Sequence, residues 1–195
     1  WETLPGSIRS LHGARFTVLG TGDIGTEFAR RAQAFHPACI TGVRRTVKPS
    51  DPAFTSIHAI AELDSVLPET DLLVMALPST AETVGILSRE RIALLPDSAF
   101  VVNVGRGTAI DQEALCDALN AGRLAGAALD VVVPEPLPAD HPLRRAKNLL
   151  LTPHVAGNMT LGYTCDKSVQ MFCDDLENYA AGRPLAHLVD RKRGY

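Results

Sequence analysis

"RFTVLGTGDIGTEFARRAQAF", residues 15–35, decides the fold. An apolar run from Phe16 to Leu19 leads into Gly20-x-Gly22-x-x-Gly25, and Ile24 to Phe35 have helical spacing. Strand, glycine turn and helix in that order are what a dinucleotide-binding βαβ unit requires. Gly20 permits the tight turn, Gly22 lets backbone amides approach a pyrophosphate, and Gly25 lets the helix pack close to the strand. The amino terminus of the helix, with Asp23 and Ile24, then turns unpaired N–H groups and a positive dipole end toward the phosphates. A glycine-rich turn needing only positive φ is the plainer alternative, and the spacing of the glycines argues against it. Asp23 is out of place beside a pyrophosphate, which its carboxylate would repel, so its side chain is expected to point away and cap the helix.

Outward from this unit the alternation repeats. Phe16–Leu19, Cys39–Val43, Asp71–Leu77, Phe100–Val104, Ala127–Val131 and Asn148–Leu151 read as strands buried on both faces. Helical spacing covers 24–35, 59–67, 89–95 and 112–121, with Asp111 as an N-cap and Gly122 as a C-terminal stop. Parallel strands joined by such crossovers form a doubly wound α/β sheet of the Rossmann kind. A longer helix is expected from Thr160 to Ala181, ended by Gly182 and Pro184.

Composition removes several classes of function. The chain has 195 residues, 46% hydrophobic and 21% charged, with a formal charge of −3, which offers no basic surface for nucleic acid. No run of about 18 apolar residues marks a membrane span, and the first residues lack a charged lead into an apolar stretch. Cys39, Cys116, Cys165 and Cys173 are scattered without a CxxC pair, so reduced thiols in a cytoplasmic protein with no metal site are expected.

The second strand names the dinucleotide. An NAD-binding chain places Asp or Glu about 20 residues beyond the glycines to accept from the adenosine ribose. Here Arg44 and Arg45 stand at that point. Guanidinium groups pair with a 2′-phosphate through forked, charge-assisted hydrogen bonds, so NADP(H) is expected ahead of NAD. Two solvated arginines at a strand end are the alternative, and they leave the ribose hydroxyl without an acceptor.

Three later stretches bear on the reaction: "VVNVGRGTAID" (101–111), "LDVVVPEPLP" (129–138) and "LTPHVAGNM" (151–159). Each follows an expected strand and so reaches the carboxyl edge of the sheet, where doubly wound folds bind their ligands. Arg106, Glu135 and His154 should converge there. An arginine binds a carboxylate in a fork, a histidine donates a proton as hydride arrives, and a carboxylate orients the imidazole and favours its charged form. That set suffices to reduce a 2-oxo acid. Singly, each residue has a duller reading: a phosphate contact, a solvated loop carboxylate, a packed loop histidine.

These motifs, with "ALPSTAET" and the closing "NYAAGRPLAHLVDRKRGY", make the chain similar over nearly its whole length to the D-isomer-specific 2-hydroxyacid dehydrogenases. The resemblance implies that Arg106 binds the substrate, that Glu135 partners His154 and that His154 is the acid/base. It further implies that Asp130 meets the nicotinamide carboxamide and that Leu77, Pro78, Thr83, Val104, Gly105 and Gly157 line the cofactor cleft. Glu135 stands where formate dehydrogenase relatives carry glutamine, and Val132 replaces the family's usual aromatic. The implied activity is hydride transfer between NADP(H) and a small 2-oxo or 2-hydroxy acid, such as glyoxylate or hydroxypyruvate, in a homodimer. The family's co-repressor relatives keep the same loops, so an NAD(P)H-sensing binding module is the alternative. Trp1 falls close to where the family's chain enters its nucleotide domain. The expected organisation is therefore a linker at 1–10, a dinucleotide-binding domain at 11–158, and a C-terminal helix and tail at 159–195. Most of the flavodoxin-like substrate domain is expected to be absent.

Overall fold

A computed structural model gives the fold and describes residues 9–47, 51–157 and 161–191. Its elements run β1 (Arg15–Leu19), α1 (Asp23–Ala32), β2 (Cys39–Arg44), β3 (Ser56–Ala59), α2 (Leu63–Val66), β4 (Leu72–Met75) and α3 (Arg89–Leu94). They continue with β5 (Phe100–Asn103), α4 (Gln112–Asn120), β6 (Gly126–Leu129), β7 (Leu149–Leu151) and α5 (Gly162–Ala180). The strands form one parallel sheet in the order β3-β2-β1-β4-β5-β6-β7. After β1 the chain builds toward one edge through β2 and β3, then returns to the other side of β1 with β4. That reversal opens a crevice at the carboxyl ends of β1 and β4, the place where doubly wound sheets bind ligands.

Side chains of β1 alternate between two cores, as the period of two in a strand dictates. Phe16 and Val18 pack with Ile40, Ala29, Ala32 and Phe54 on the α1 face. Leu19 joins Leu73, Met75, Val101 and Leu129 on the other face, under Leu63, Leu115 and Leu119. Thr17 also points to that second face, where its hydroxyl meets Thr70 Oγ1 at 2.8 Å, so a buried polar group is paired.

Several expectations need correction. β3 has no counterpart in the sequence reading, which began a helix at Ala59. Its four residues, SIHA, are all half-buried at a sheet edge, so neither an apolar run nor alternation marks them. The helix expected over 59–67 shrinks to a single α-turn, 63–66, between two 3-10 turns. α1 ends at Ala32, and its last expected residues form a 3-10 turn, 33–35. Burial on both faces fails in the β5–β7 half of the sheet, where Phe100 and Leu150 are exposed. Asp111 does cap α4, accepting from Ala114 N at 2.9 Å, and Gly122 follows in the left-handed region with φ 72°. α5 begins at Gly162; Thr160, where that helix was expected to start, lies outside the described residues, as do residues 1–8 of the expected linker. No helix among the described residues is long and apolar enough to cross a membrane.

Candidate active site

The carboxyl ends of the strands are stitched together in a row. Gly20 N donates to Val43 O, Ala76 N to Leu19 O, Val104 N to Met75 O, Asp130 N to Asn103 O and Thr152 N to Leu129 O, each at 2.8–3.0 Å. The first residue beyond each of β1, β4, β5, β6 and β7 is thus fastened to its neighbour, and five loops rise from one edge of the sheet.

The glycine turn opens this row. Gly20 has φ 95°, and a Cβ there would lie 2.6 Å from the Ala76 carbonyl oxygen, so both backbone angle and space demand glycine. A Cβ on Gly25 would run into the Gly20 carbonyl oxygen and approach Val18 Cγ1 to 3.0 Å, which fixes how closely α1 sits on β1. Gly22 faces open space, with nothing within 4 Å of its would-be Cβ. It is also the N-cap of α1, which has no side-chain cap hydrogen bond. The expected Asp23 cap is therefore wrong: Asp23 is the first helical residue, one position too late to cap, and it contributes only its charge to the first turn. Asp23 and Ile24 are exposed at that helix end.

A cleft of about 570 Å³ lies between this turn and the ends of β2 and β4, lined by Gly20, Gly22, Arg44, Arg45, Leu77 and Pro78 among others. Thr83 belongs to the same wall, where its buried hydroxyl donates to Pro78 O at 2.6 Å and accepts from Thr80 N at 2.8 Å. The cleft suits a dinucleotide phosphate. Gly22 leaves it room, Thr21 Oγ1 is buried with no hydrogen-bond partner among the described residues, and two guanidinium groups stand at its rim.

The next loop carries Arg106. Asn103, almost fully buried, donates through Nδ2 to Arg106 O and accepts at Oδ1 from Gly105 N, both at 3.0 Å. This pair of bonds folds residues 104–106 into a tight turn. A Cβ on Gly105 would lie 2.6 Å from Leu77 O, so the turn sits directly on the β4 loop. The Arg106 side chain is exposed, with Nη1 donating to Gly105 O at 2.7 Å.

Glu135 and His154 meet beside it. His154 Nδ1 lies 2.8 Å from Glu135 Oε2, and Glu135 Oε1 accepts from Val132 N at 3.0 Å. An ionised carboxylate only accepts, so Nδ1 carries the hydrogen and Nε2 is left for other work. The bond from His154, the Val132 N–H and the charges of His154 and Arg106 hold the Glu135 carboxyl below its ordinary value of 4.5, against the effect of burial. Of the three groups expected to converge, Glu135 and His154 are in direct contact, and Arg106 reaches them through its charge.

Asp130, buried under this pair, uses its carboxylate to pin the histidine loop. Oδ1 accepts from Thr152 Oγ1 at 2.5 Å and from Val155 N at 2.9 Å, and Oδ2 accepts from Ala156 N at 2.9 Å. His154 N donates to Asp130 O at 2.8 Å, and His154 itself has φ 55°. Burial raises the Asp130 pKa, but the Thr152 hydroxyl, the Val155 and Ala156 N–H groups and the charge of His154 outweigh it and leave the net value lowered. Gly157 follows, exposed, at the end of this loop. Asn103, Thr152 and Gln112 are the functional supports that sequence reasoning missed. Gln112 clamps the Glu135 loop, donating to Val133 O at 2.6 Å and accepting from Val133 N at 2.8 Å. For Asn103 the only signal was an amide ending an apolar strand; for the other two there was none.

Residues 1–156 match the model of the D-isomer specific 2-hydroxyacid dehydrogenase NAD-binding domain. The chain belongs to this family. It is 35% identical over its whole length to glyoxylate/hydroxypyruvate reductase A of Klebsiella pneumoniae, covering 60% of that protein. Over 74% of the chain it is 38% identical to glyoxylate/hydroxypyruvate reductase B of Pectobacterium carotovorum, covering 45% of it. The chain thus spans about half the length of these dehydrogenases. A D-isomer specific 2-hydroxyacid dehydrogenase of Xanthobacter autotrophicus, solved with NADPH and MES, superposes over the whole chain and 77% of its own with a TM-score of 0.87 at 34% identity. An NADPH-dependent glyoxylate/hydroxypyruvate reductase of Sinorhizobium meliloti, solved with NADP and sulfate, gives 0.87 at 28% identity, over the whole chain and 60% of its own.

Proposed function

We propose that the whole protein reduces a short 2-oxo acid, of the glyoxylate or hydroxypyruvate type, to the 2-hydroxy acid with NADPH. The observation that carries this reading is the hydrogen-bonded pair of Glu135 and His154, within reach of the charge of Arg106. NADPH supplies the hydride. Arg106 offers a forked donor to the substrate carboxylate, and as a planar cation it both binds and orients it. His154 holds a proton at Nε2 and delivers it to the carbonyl oxygen as negative charge develops there. Glu135 keeps the other nitrogen protonated and balances the imidazolium. Asp130 holds the loop that sets the histidine's height and also offers its carboxylate edge to a nicotinamide amide. Arg44 and Arg45 favour the phosphorylated cofactor, as do the NADP and NADPH of the Sinorhizobium and Xanthobacter relatives.

The test is turnover of the full-length protein on a panel of 2-oxo acids with each reduced cofactor. His154→Gln should lower kcat by about a hundred- to ten-thousand-fold, the usual contribution of a positioned acid. It should leave the NADPH dissociation constant within about twofold, a change near 0.4 kcal/mol. Retained turnover in that variant would remove His154 from the chemistry.

A further inference from the structure

The cleft at the end of β2 contains an acid that answers its arginines. Glu82, on the turn after β4, lies across from Arg45, with Oε2 3.2 Å from Arg45 Nη1. Both line the cleft that holds Gly20 and Gly22. The backbone on either side of Glu82 is held: Thr83 O–H bonds to Pro78 O, and Thr83 N and Val84 N both donate to Thr80 O at 3.0 Å. The turn that carries the carboxylate is therefore fixed at its backbone. The side chains are 40% exposed for Arg45 and 60% for Glu82, and an ion pair so open to water is weakly held and easily exchanged. Among the described residues, Arg44 makes no ion pair and is half-buried in the same wall.

We infer that Glu82 is a specificity-determining residue: it occupies Arg45 as an internal anion, competes with the cofactor's 2′-phosphate for that guanidinium, and so holds down the preference for NADPH over NADH. The inference rests on the NADP(H) reading above. A 2′-phosphate entering this cleft must take Arg45 from Glu82 and also sit close to the displaced carboxylate, a like charge. A cofactor ending in a plain ribose hydroxyl faces neither cost. Glu82 therefore acts on one cofactor and not the other, although it faces neither the hydride nor the substrate.

Equilibrium titration of the full chain, by nicotinamide fluorescence, separates the two claims. In Glu82→Gln the dissociation constant for NADPH should fall about three- to tenfold, as expected for losing an exposed competing pair and its repulsion. That for NADH should change by less than about twofold, and the gain should shrink when Arg45→Gln is added, because paired residues are not additive and only the repulsion by the carboxylate is then left to lose. An unchanged or raised NADPH constant, an equal fall for both cofactors, or a gain undiminished without Arg45 would overturn the inference. Wild-type protein that binds NADH as tightly as NADPH would overturn the NADP(H) reading beneath it, before any variant is compared.

Discussion

Asp130 shows how much of this site depends on single residues that do not themselves transfer a proton. Its carboxylate takes three hydrogen bonds from the segment 152–156, and its carbonyl takes a fourth from His154 N. Asn would keep the shape but lose the charge and replace one accepting oxygen by an amide donor, at a cost of about 2–3 kcal/mol at neutral pH. For a chain of this size that is a fall of about 5–10 °C in Tm. The folded carboxyl titrates below its ordinary value of 3.8, so its contribution is fully present above that value and is lost as pH falls through the lower, folded one. The Tm gap between wild type and Asp130→Asn should thus hold from pH 7 to about 4 and close below that, as thermal unfolding at each pH will show. Arg106, Glu135 and His154 were legible in the sequence because each stands a few residues past an apolar run, where topology alone assigns an edge. Gln112 was not, because its partner is the backbone of Val133, 21 residues away, and nothing local to a helix start announces that bond.

At the level of elements, the glycine turn separates two duties that one motif usually blurs. Gly25 belongs to packing: Ala there would drive a methyl into the Gly20 carbonyl, at a cost of about 3 kcal/mol or 6–12 °C in Tm. Gly22 faces open space, where the proposed cofactor would approach. Ala there meets nothing in the protein and should change stability by no more than about 0.5 kcal/mol. It should nevertheless weaken NADPH binding by about tenfold or more, a loss of ~1.4 kcal/mol in an approach that only a bare backbone allows. Unfolding and cofactor titration of both variants check the contrast; a Gly22→Ala protein that binds normally would show that the phosphates do not pass this point. The long buried strands and capped α4 were readable from periodicity. β3 and α2 were not, since four half-exposed residues and a single α-turn carry too little pattern for either period to emerge.

For the whole molecule, stability is unevenly spread. β1, β4 and β5 lie in the middle of the sheet and all carry buried residues, those of β1 in both cores, whereas α5 has no buried residue and exposes Tyr163, Phe172 and Tyr179. Amides of α5 in this chain should exchange with solvent at least about a hundredfold faster than those of β1 and β4, because local opening there exposes almost no apolar surface. Exchange followed by mass spectrometry will rank them; equal protection would mean that α5 is docked. The doubly wound order was legible because alternating apolar runs and helices leave few other topologies. The uncovered faces of β5 and β7 were not, since an apolar run looks the same whether or not something lies on it. The stitched rim has a wider meaning. Each loop is moored by a main-chain amide at its first residue, a tie that does not depend on which side chains come after. Replacement of the residues beyond those moorings leaves the strand register intact, so a new specificity can be grafted onto one loop while its neighbours keep their places.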